Sequence, residues 1–351
     1  MFDAGLRGAK AATGEGTPTM VMENWIEVIR TAKLSVDKPM DVVSRWLIIT
    51  RAAVFSMTLT SGLIGGLLAA TADTFAWTPF LLALLGLLLA HAANNMINDY
   101  FDLTGGVDTP EYYRAQYAPH PILAGLISKP GLRNAIIVVN ALDAVIAVYL
   151  TTVRGWPVLL FAALGLFISV FYVAPPIRLK HIGLGELGVA IVWGPLMVGG
   201  TYYCAAGTMP PWVVAASLPY ALAVTTVLVG KHLDKCEQDK ARGIRTLPVI
   251  LGFRTSLRLN QAMMVAFYLV TLALVVTQML GLWVLLIVFS LPRLRGVLRI
   301  YSQAKPAVPP ANFPVWPLWY VAAAFHLNKL AGGLFVLGLV LNLILPHRLP
   351  F

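Results

Sequence analysis

WTPFLLALLGLLLAHAANNMINDYFD, residues 77–102, opens as an uncharged apolar run and closes as a row of carboxamides and carboxylates. The first part reads as a membrane-crossing helix. About 20 apolar residues span the hydrocarbon, where an open backbone of any other kind would leave its polar groups unpaired. His91, Asn95, Asn98, Asp99 and Asp102 then recur at helical spacing and so share one face. Charge beside an apolar span is expensive and usually has a task. Two aspartates this close repel unless a cation lies between them, and all-oxygen ligation with spare water positions suits magnesium. The stretch therefore predicts a helical membrane protein with a divalent-cation site at the end of this helix.

The rest of the 351-residue chain agrees. It is 58% hydrophobic and 12% charged, with a mean hydropathy of +0.76, far too apolar for an ordinary water-soluble domain. Nine stretches approach a span, near residues 47–70, 77–97, 132–153, 156–174, 184–206, 211–232, 259–279, 282–301 and 318–345. The expected fold is all-α, a bundle of nine transmembrane helices over residues 46–346. The eighth has the shortest clean run, Leu282 to Pro292, so Arg293, Arg295 and Arg299 must snorkel if the helix continues. All but three of the 26 basic residues fall in the arm before the first span and that span's first residues, or at the connections that follow the even-numbered spans together with the span ends flanking them, the exceptions being Arg154, Arg348 and Lys329. Cytoplasmic loops carry the Lys and Arg excess, so the N-terminus is expected in the cytosol. The net charge of +10 is then a topology signal, and nucleic-acid binding is a poor reading of it. Residues 1–20 read as a disordered arm, 21–45 as a cytosolic segment with a short interfacial helix, and 347–351 as a tail. Cys204 and Cys236 lie at opposite membrane faces and cannot bridge.

A second cluster follows the sixth span: Lys231-His-Leu-Asp234-Lys235-Cys-Glu237-Gln-Asp239-Lys240-Ala-Arg242-Gly243-Ile-Arg245-Thr246-Leu247-Pro248. Alone it fits a salt-bridged surface helix equally well. The second and sixth spans run in the same direction, however, so both clusters end at one depth on one side. Facing acidic clusters among Lys and Arg describe a diphosphate site, with magnesium bridging carboxylates and phosphate oxygens.

These residues resemble the UbiA superfamily of membrane prenyltransferases. Its Asn-Asp-x-x-Asp signature and following Asp are matched by Asn98, Asp99, Asp102 and Asp108. Its Asp-x-x-x-Asp motif leading into Gly-x-Arg-Thr-Leu-Pro is matched by Asp239 and by Gly243, Arg245, Thr246, Leu247 and Pro248. The Tyr172–Lys180, Gly183–Glu186 and His120–Ser128 stretches are similar to further family elements. The wording around Asn98–Asp108 most resembles 1,4-dihydroxy-2-naphthoate polyprenyltransferases of menaquinone synthesis. There is one departure: the first Asp of the second motif should fall at 235, where this chain has Lys235, and Asp234 stands one residue early. On a regular helix Asp234 and Asp239 are about 140° out of line. Either the backbone is irregular there and Asp234 turns inward, or Lys235 faces the diphosphate.

The resemblance implies transfer of a prenyl chain from a polyprenyl diphosphate to an aromatic acceptor at a magnesium site in the bilayer. It assigns metal or diphosphate binding to Asn95, Asn98, Asp99, Asp102, Asp108, Asp234 and Asp239. Arg114, Lys129, Arg178, Lys231 and Lys235 are candidate phosphate contacts, and Tyr172 is placed to present its ring to an allylic cation. Homogentisate, 4-hydroxybenzoate, a chlorophyllide or a glycerol phosphate would serve as acceptor on the same fold, because scattered apolar residues carry no readable code for it. A transporter would place its acids near the midplane beside broken helices, whereas here they gather at one face. Asp143 and Lys329 stand at similar depth, roughly 16 Å from that face by helical rise. They either pair or each meet other polar groups such as His326 and Asn328.

Overall fold

The computed structural model describes residues 18–311, 313 and 315–346, with side chains from residue 21. The disordered arm expected over residues 1–20 and the tail at 347–351 thus lie almost wholly outside the described residues; Pro18 to Met20 already belong to a helix. In order come α1 (Pro18–Thr31), α2 (Val42–Ile49), α3 (Phe55–Ala69), α4 (Trp77–Thr104), α5 (Tyr113–Tyr117), α6 (Lys129–Arg154), α7 (Pro157–Phe171) and α8 (Gly185–Ile191). A π-helical stretch, Val192–Gly199, joins α8 to α9 (Gly200–Ala206). Then follow α10 (Trp212–Asp234), α11 (Cys236–Ala241), α12 (Leu247–Leu251), α13 (Phe253–Val276), a 3-10 stretch Leu282–Ser290 running into α14 (Leu291–Tyr301), and α15 (Tyr320–Ile344). Among the described residues every regular element is helical.

Seven of the helical rods are long and apolar enough to cross a membrane. The two other expected spans take different forms. The stretch expected at 156–174 is α7, only 15 residues, which by helical rise reaches about 22 Å against a hydrocarbon of roughly 30 Å. Pro157 sets its start behind Gly155, whose φ of 89° ends α6. The stretch expected at 282–301 is the 3-10 and α14 pair. The steeper rise of a 3-10 helix, ~2 Å per residue, lets its short apolar run reach further than an α-helix would. Arg293, Arg295 and Arg299 lie on its exposed face, while Leu294, Val297 and Tyr301 pack inward. Pro195 sits inside the π stretch, where its missing N–H would break α-helical bonding and the wider turn absorbs the defect.

Helix α10 is the centre of the bundle: 72% of its apolar window is buried, against 6% for α6. The outer helices turn Ile137, Val138, Val145, Val148, Leu159 and Leu160 outward, as a lipid-facing surface requires. The short interfacial helix expected after residue 21 is α1. Its Met22, Ile26 and Ile29 form an exposed apolar stripe, while Val28 and Asn24 are buried. Asn24 and Trp25 bond to Asp41, which also caps α2 through the Ser44 amide. Asp143 and Lys329 do not pair. Asp143 lines an internal cavity, and Lys329 is exposed, its ammonium 4.4 Å from the Phe325 ring centre.

Apolar side chains gain little from packing when lipid is the alternative, so close backbone approach at small residues carries much of the cohesion. A Cβ at Gly338 of α15 would fall 2.4 Å from the Trp283 carbonyl oxygen and 2.5 Å from the Val284 Cα. At Gly333, one position along α15 from Gly332, nothing lies within 4 Å. Gly338→Val is expected to lower stability by about 1–3 kcal/mol or more, because the clash is with backbone that cannot rotate away. Gly333→Ala is expected to leave the thermal unfolding midpoint in detergent unchanged or slightly raised.

Candidate active site

The cluster of buried charge lies at one end of the bundle, where α4 stops and the polar connections gather. Asp99, fully buried, is clamped by two guanidinium groups. Arg51 donates from Nε at 3.2 Å and through a second, shorter contact from its terminal nitrogen. Arg114 of α5 donates from Nε and Nη2 at 3.1 and 3.3 Å. Arg51 reaches inward from a left-handed backbone position, φ 55°. The Asn95 carboxamide holds the preceding carbonyl, Thr50, at 2.9 Å. Asn95 therefore acts by placing Arg51. Asp102, one turn beyond Asp99, receives the Lys180 ammonium on both oxygens at 2.7 and 2.6 Å.

Asp108 is different. Both of its oxygens are buried without a hydrogen-bond partner, and so is Nε2 of His120, 3.4 Å away. With Asp99 these groups bring their ligand atoms within 4.8 Å of one another. Unpaired carboxylate oxygens buried beside a second carboxylate fit a cation. The His120 ring is not one of its ligands. Its Nδ1 accepts from the Ile122 and Leu123 amides, so in the neutral ring the proton sits on Nε2, which faces the carboxylates as a donor. The residues that fit magnesium are therefore oxygens from α4 and the loop after it.

On the facing side, α10 stops at Asp234 and Lys235 leaves helical geometry with φ −116° and ψ 13°. The break expected at this point is present, but Asp234 does not turn inward. Its carboxylate accepts from the Tyr320 and Val321 amides at 3.1 and 3.0 Å and caps the N-terminus of α15, with Lys305 at 3.4 Å. Lys235 turns inward instead, 3.0 Å from both Asp239 Oδ1 and the Tyr112 hydroxyl. Tyr112 donates to Asp239 at 2.6 Å, and Thr246 donates to its other oxygen at 3.4 Å. Burial alone would raise the Asp239 carboxyl, yet Lys235, His232 and Tyr112 hold it below the usual carboxylate range. Burial would likewise lower the Lys235 ammonium, but Asp239 and Tyr112 lift it well above its ordinary value. The pair's contribution is thus complete at neutral pH; it is lost as pH falls through the depressed Asp239 value or rises through the elevated Lys235 value.

The Gly243–Pro248 loop is a latch for this arrangement. Thr246 reaches Asp239, and the Leu247 amide donates to Glu186, which also bonds His232 at 2.6 Å. Among the expected phosphate contacts, Arg114, Lys231 and Lys235 line the site. Lys129 and Arg178 are exposed, the former over the Tyr100 ring, and neither joins the cluster. Lys180 occupies the inward place because Arg178 takes a left-handed turn, φ 49°. Arg51, Tyr112, Lys180 and His120 are site residues that spacing did not single out. Lys231 faces the site and forms no ion pair among the described residues.

Two connected spaces meet here. A small polar chamber of about 20 Å³ lies among Asn98, Asp102, Asp108, Tyr112, Lys180 and Lys235. An apolar cavity of about 360 Å³ shares Arg51, Asn98, Arg114, Tyr172 and Lys231 with it and continues past Leu87, Met197 and Phe161 to Leu150 and Cys204. The Cys204 carbonyl accepts from Arg154 at the opposite end of the bundle, 2.7 Å. The cavity thus runs most of the length of the helices, with Tyr172 at its polar mouth.

Residues 58–316 match the model of the UbiA prenyltransferase family. The chain belongs to this family. Proteins similar to it include the 1,4-dihydroxy-2-naphthoate octaprenyltransferase of Bacillus subtilis, 24% identical over 61% of this chain and 68% of that one. Another is the 2-carboxy-1,4-naphthoquinone phytyltransferase of Synechocystis, 26% identical over 65% and 71%. The digeranylgeranylglyceryl phosphate synthase of Natronomonas pharaonis is 29% identical over 71% and 84%. Among solved structures, the apo UbiA homolog of Aeropyrum pernix superposes with a TM-score of 0.62 at 20% identity, over 82% of this chain and 97% of that one. The Archaeoglobus fulgidus homolog bound to GPP and Mg2+ gives 0.56 at 16% identity, over 83% and 99%.

The ion pairs make folding and chemistry separable. Asp102→Asn strands the Lys180 ammonium in the interior and is expected to cost about 3–5 kcal/mol of stability. Asp102→Asn with Lys180→Met is expected to restore most of the unfolding midpoint while activity stays lost. Asp234→Ala removes a helix cap and is expected to cost about 1–2 kcal/mol, with the magnesium dependence of turnover unchanged.

Proposed function

We propose that this UbiA protein transfers a prenyl chain from a polyprenyl diphosphate to an aromatic acceptor dissolved in the membrane, 1,4-dihydroxy-2-naphthoate, with magnesium. The observation that carries the reading is the junction of a polar chamber, lined by aspartates and cations, with a long apolar cavity. A molecule with a diphosphate head and a hydrocarbon tail fits that junction. The tail is screened from water along the cavity, and the head meets Arg51, Arg114, Lys180, Lys231 and Lys235. The Bacillus and Synechocystis relatives support a naphthoate acceptor by their names.

Magnesium held by Asp99, Asp102 and Asp108, with Asn98 beside them, would neutralise charge on the departing diphosphate. The chain's own groups do the rest. Arg51, Arg114, Lys180 and Lys235 are each held in place by a carboxylate and positioned to share their charge with phosphate oxygens as the allylic carbon to oxygen bond breaks. Lys231 lines the chamber beside them. His120 offers an Nε2–H to the same region. Tyr172 places an aromatic ring where the allylic cation forms. The cavity excludes water that would quench the cation. The electron-rich ring carbon that bears the acceptor's carboxylate then bonds to the allylic carbon, and the ring regains aromaticity as the bond to the carboxylate breaks and carbon dioxide leaves. The basic end of the bundle faces the cytosol in this reading, as the Lys and Arg distribution supports.

The test is an assay of purified protein in detergent with magnesium, prenyl diphosphates of several lengths and a panel of acceptors, read by mass spectrometry. The panel includes a glycerol phosphate derivative, because the Natronomonas relative is named for one. A prenylated naphthoate product that disappears with excess EDTA is expected. Full activity in EDTA, or turnover confined to another acceptor, would overturn the metal or the acceptor assignment respectively.

A further inference from the structure

The second acidic motif of this chain is not built to hold a metal. Asp239 is fully buried, and its two oxygens already accept from Tyr112, Lys235 and Thr246 at 2.6, 3.0 and 3.4 Å. Magnesium is held by one or two carboxylates together with substrate phosphates, and here no second carboxylate is free to join Asp239. Asp234 is committed to the N-terminus of α15 by two backbone amides. Glu237 is exposed, two residues from Asp239, on the far side of a helical turn. The position four residues before Asp239, which shares its face, carries Lys235. There the chain has placed a positive charge where a carboxylate would be needed to attract one.

The surroundings favour a permanent cation. Lys235 is buried, its ammonium is anchored by Asp239 and Tyr112, and the Arg242 guanidinium covers the Tyr112 ring at 4.5 Å. It still lines the polar chamber together with Asp102, Asp108 and Lys180. An ammonium has three donors; two are directed at Tyr112 and Asp239, which leaves one for an oxygen in the chamber. By contrast, the Asp108 carboxylate across the chamber is tied to no ammonium or guanidinium and has only His120 Nε2 beside it, at 3.4 Å. The two sides of the chamber thus differ in balance: the α4 side sets Asp99, Asp102 and Asp108 against Arg51, Arg114 and Lys180 and leaves Asp108 without a guanidinium or ammonium, whereas the α10 side has one carboxylate already matched by Lys235.

We infer that Lys235 is a built-in replacement for a second metal ion. Divalent metal binds only on the Asp99, Asp102 and Asp108 side, and Asp239 is a positioning residue that aims the Lys235 ammonium at the diphosphate. This rests on the diphosphate reading above and adds a statement about how many metal ions that diphosphate recruits.

The count of bound metal tests it without turnover. Manganese bound per chain is measured by electron paramagnetic resonance, with inorganic diphosphate as the probe, for the wild type and for three variants. Asp239→Asn strands a buried ammonium and is prone to misfold, so Lys235→Met with Asp239→Asn, which removes both charges, carries the argument. It is expected to bind as many manganese ions as the wild type, while diphosphate affinity falls roughly tenfold or more through loss of a charge-assisted contact. Asp108→Asn is expected to reduce the manganese count. Lys235→Asp, which creates two carboxylates on one face, is expected to add one ion. Loss of a manganese ion from the neutral double variant would overturn the inference and leave the diphosphate reading standing. A wild type that binds no manganese with diphosphate would sink both.

Discussion

A carboxylate with no exposure to water, Asp99, governs this end of the molecule. Burying an isolated charge would cost far more than a fold of marginal stability tolerates, so the surrounding chain is organised to neutralise it. Arg51 and Arg114 come from opposite sides in sequence, one before α3 and one from α5, and close on the same group. Bringing Arg51 inward requires a left-handed backbone at a residue with a side chain, a conformation that costs of order 1–3 kcal/mol and survives where the neighbours over-determine it. Asn95 provides that determination by holding the Thr50 carbonyl. The ends of α2, α4 and α5 are therefore located by one ion cluster.

The same principle recurs around the chamber as the ion pairs Asp102 with Lys180 and Asp239 with Lys235 and the hydrogen bond of Glu186 with His232, each buried and each made between different segments or across a break in a helix. Such pairs hold the loops in register when no substrate is present. They also keep cations charged and aimed in a low-dielectric setting, where each is worth more to an arriving anion than it would be in water. A diphosphate then meets donors already oriented, without large rearrangement.

Beyond the polar mouth the requirements reverse. The cavity walls are almost wholly apolar, and Asp143, half-buried opposite Gly86, interrupts them partway down. The helices that enclose it approach through glycines and other small residues, because in lipid close backbone contact must supply the cohesion that water supplies elsewhere. Polar chamber and apolar cavity belong to one bundle with two solvents to satisfy.

What this sequence settled alone is what repeats locally. Apolar run lengths set the order of the helical segments, and the i, i+4, i+7, i+8 pattern from His91 to Asp102 put the first acidic cluster on one helical face. Periodicity is carried by neighbours along the chain, so it is visible there. It did not show that one segment would be a 15-residue helix and another partly 3-10, since backbone winding answers to packing. Which cation faces the site was also beyond its reach. Lys180 rather than Arg178 points inward because of a left-handed turn two residues earlier. Asp234 and Lys235 are adjacent, and their fates were decided by the start of α15, more than eighty residues on, whose unpaired amides claim Asp234 and leave Lys235 to the chamber. A helix terminus needs an acceptor wherever tertiary packing brings one, and no pattern in the residues around Asp234 records that need.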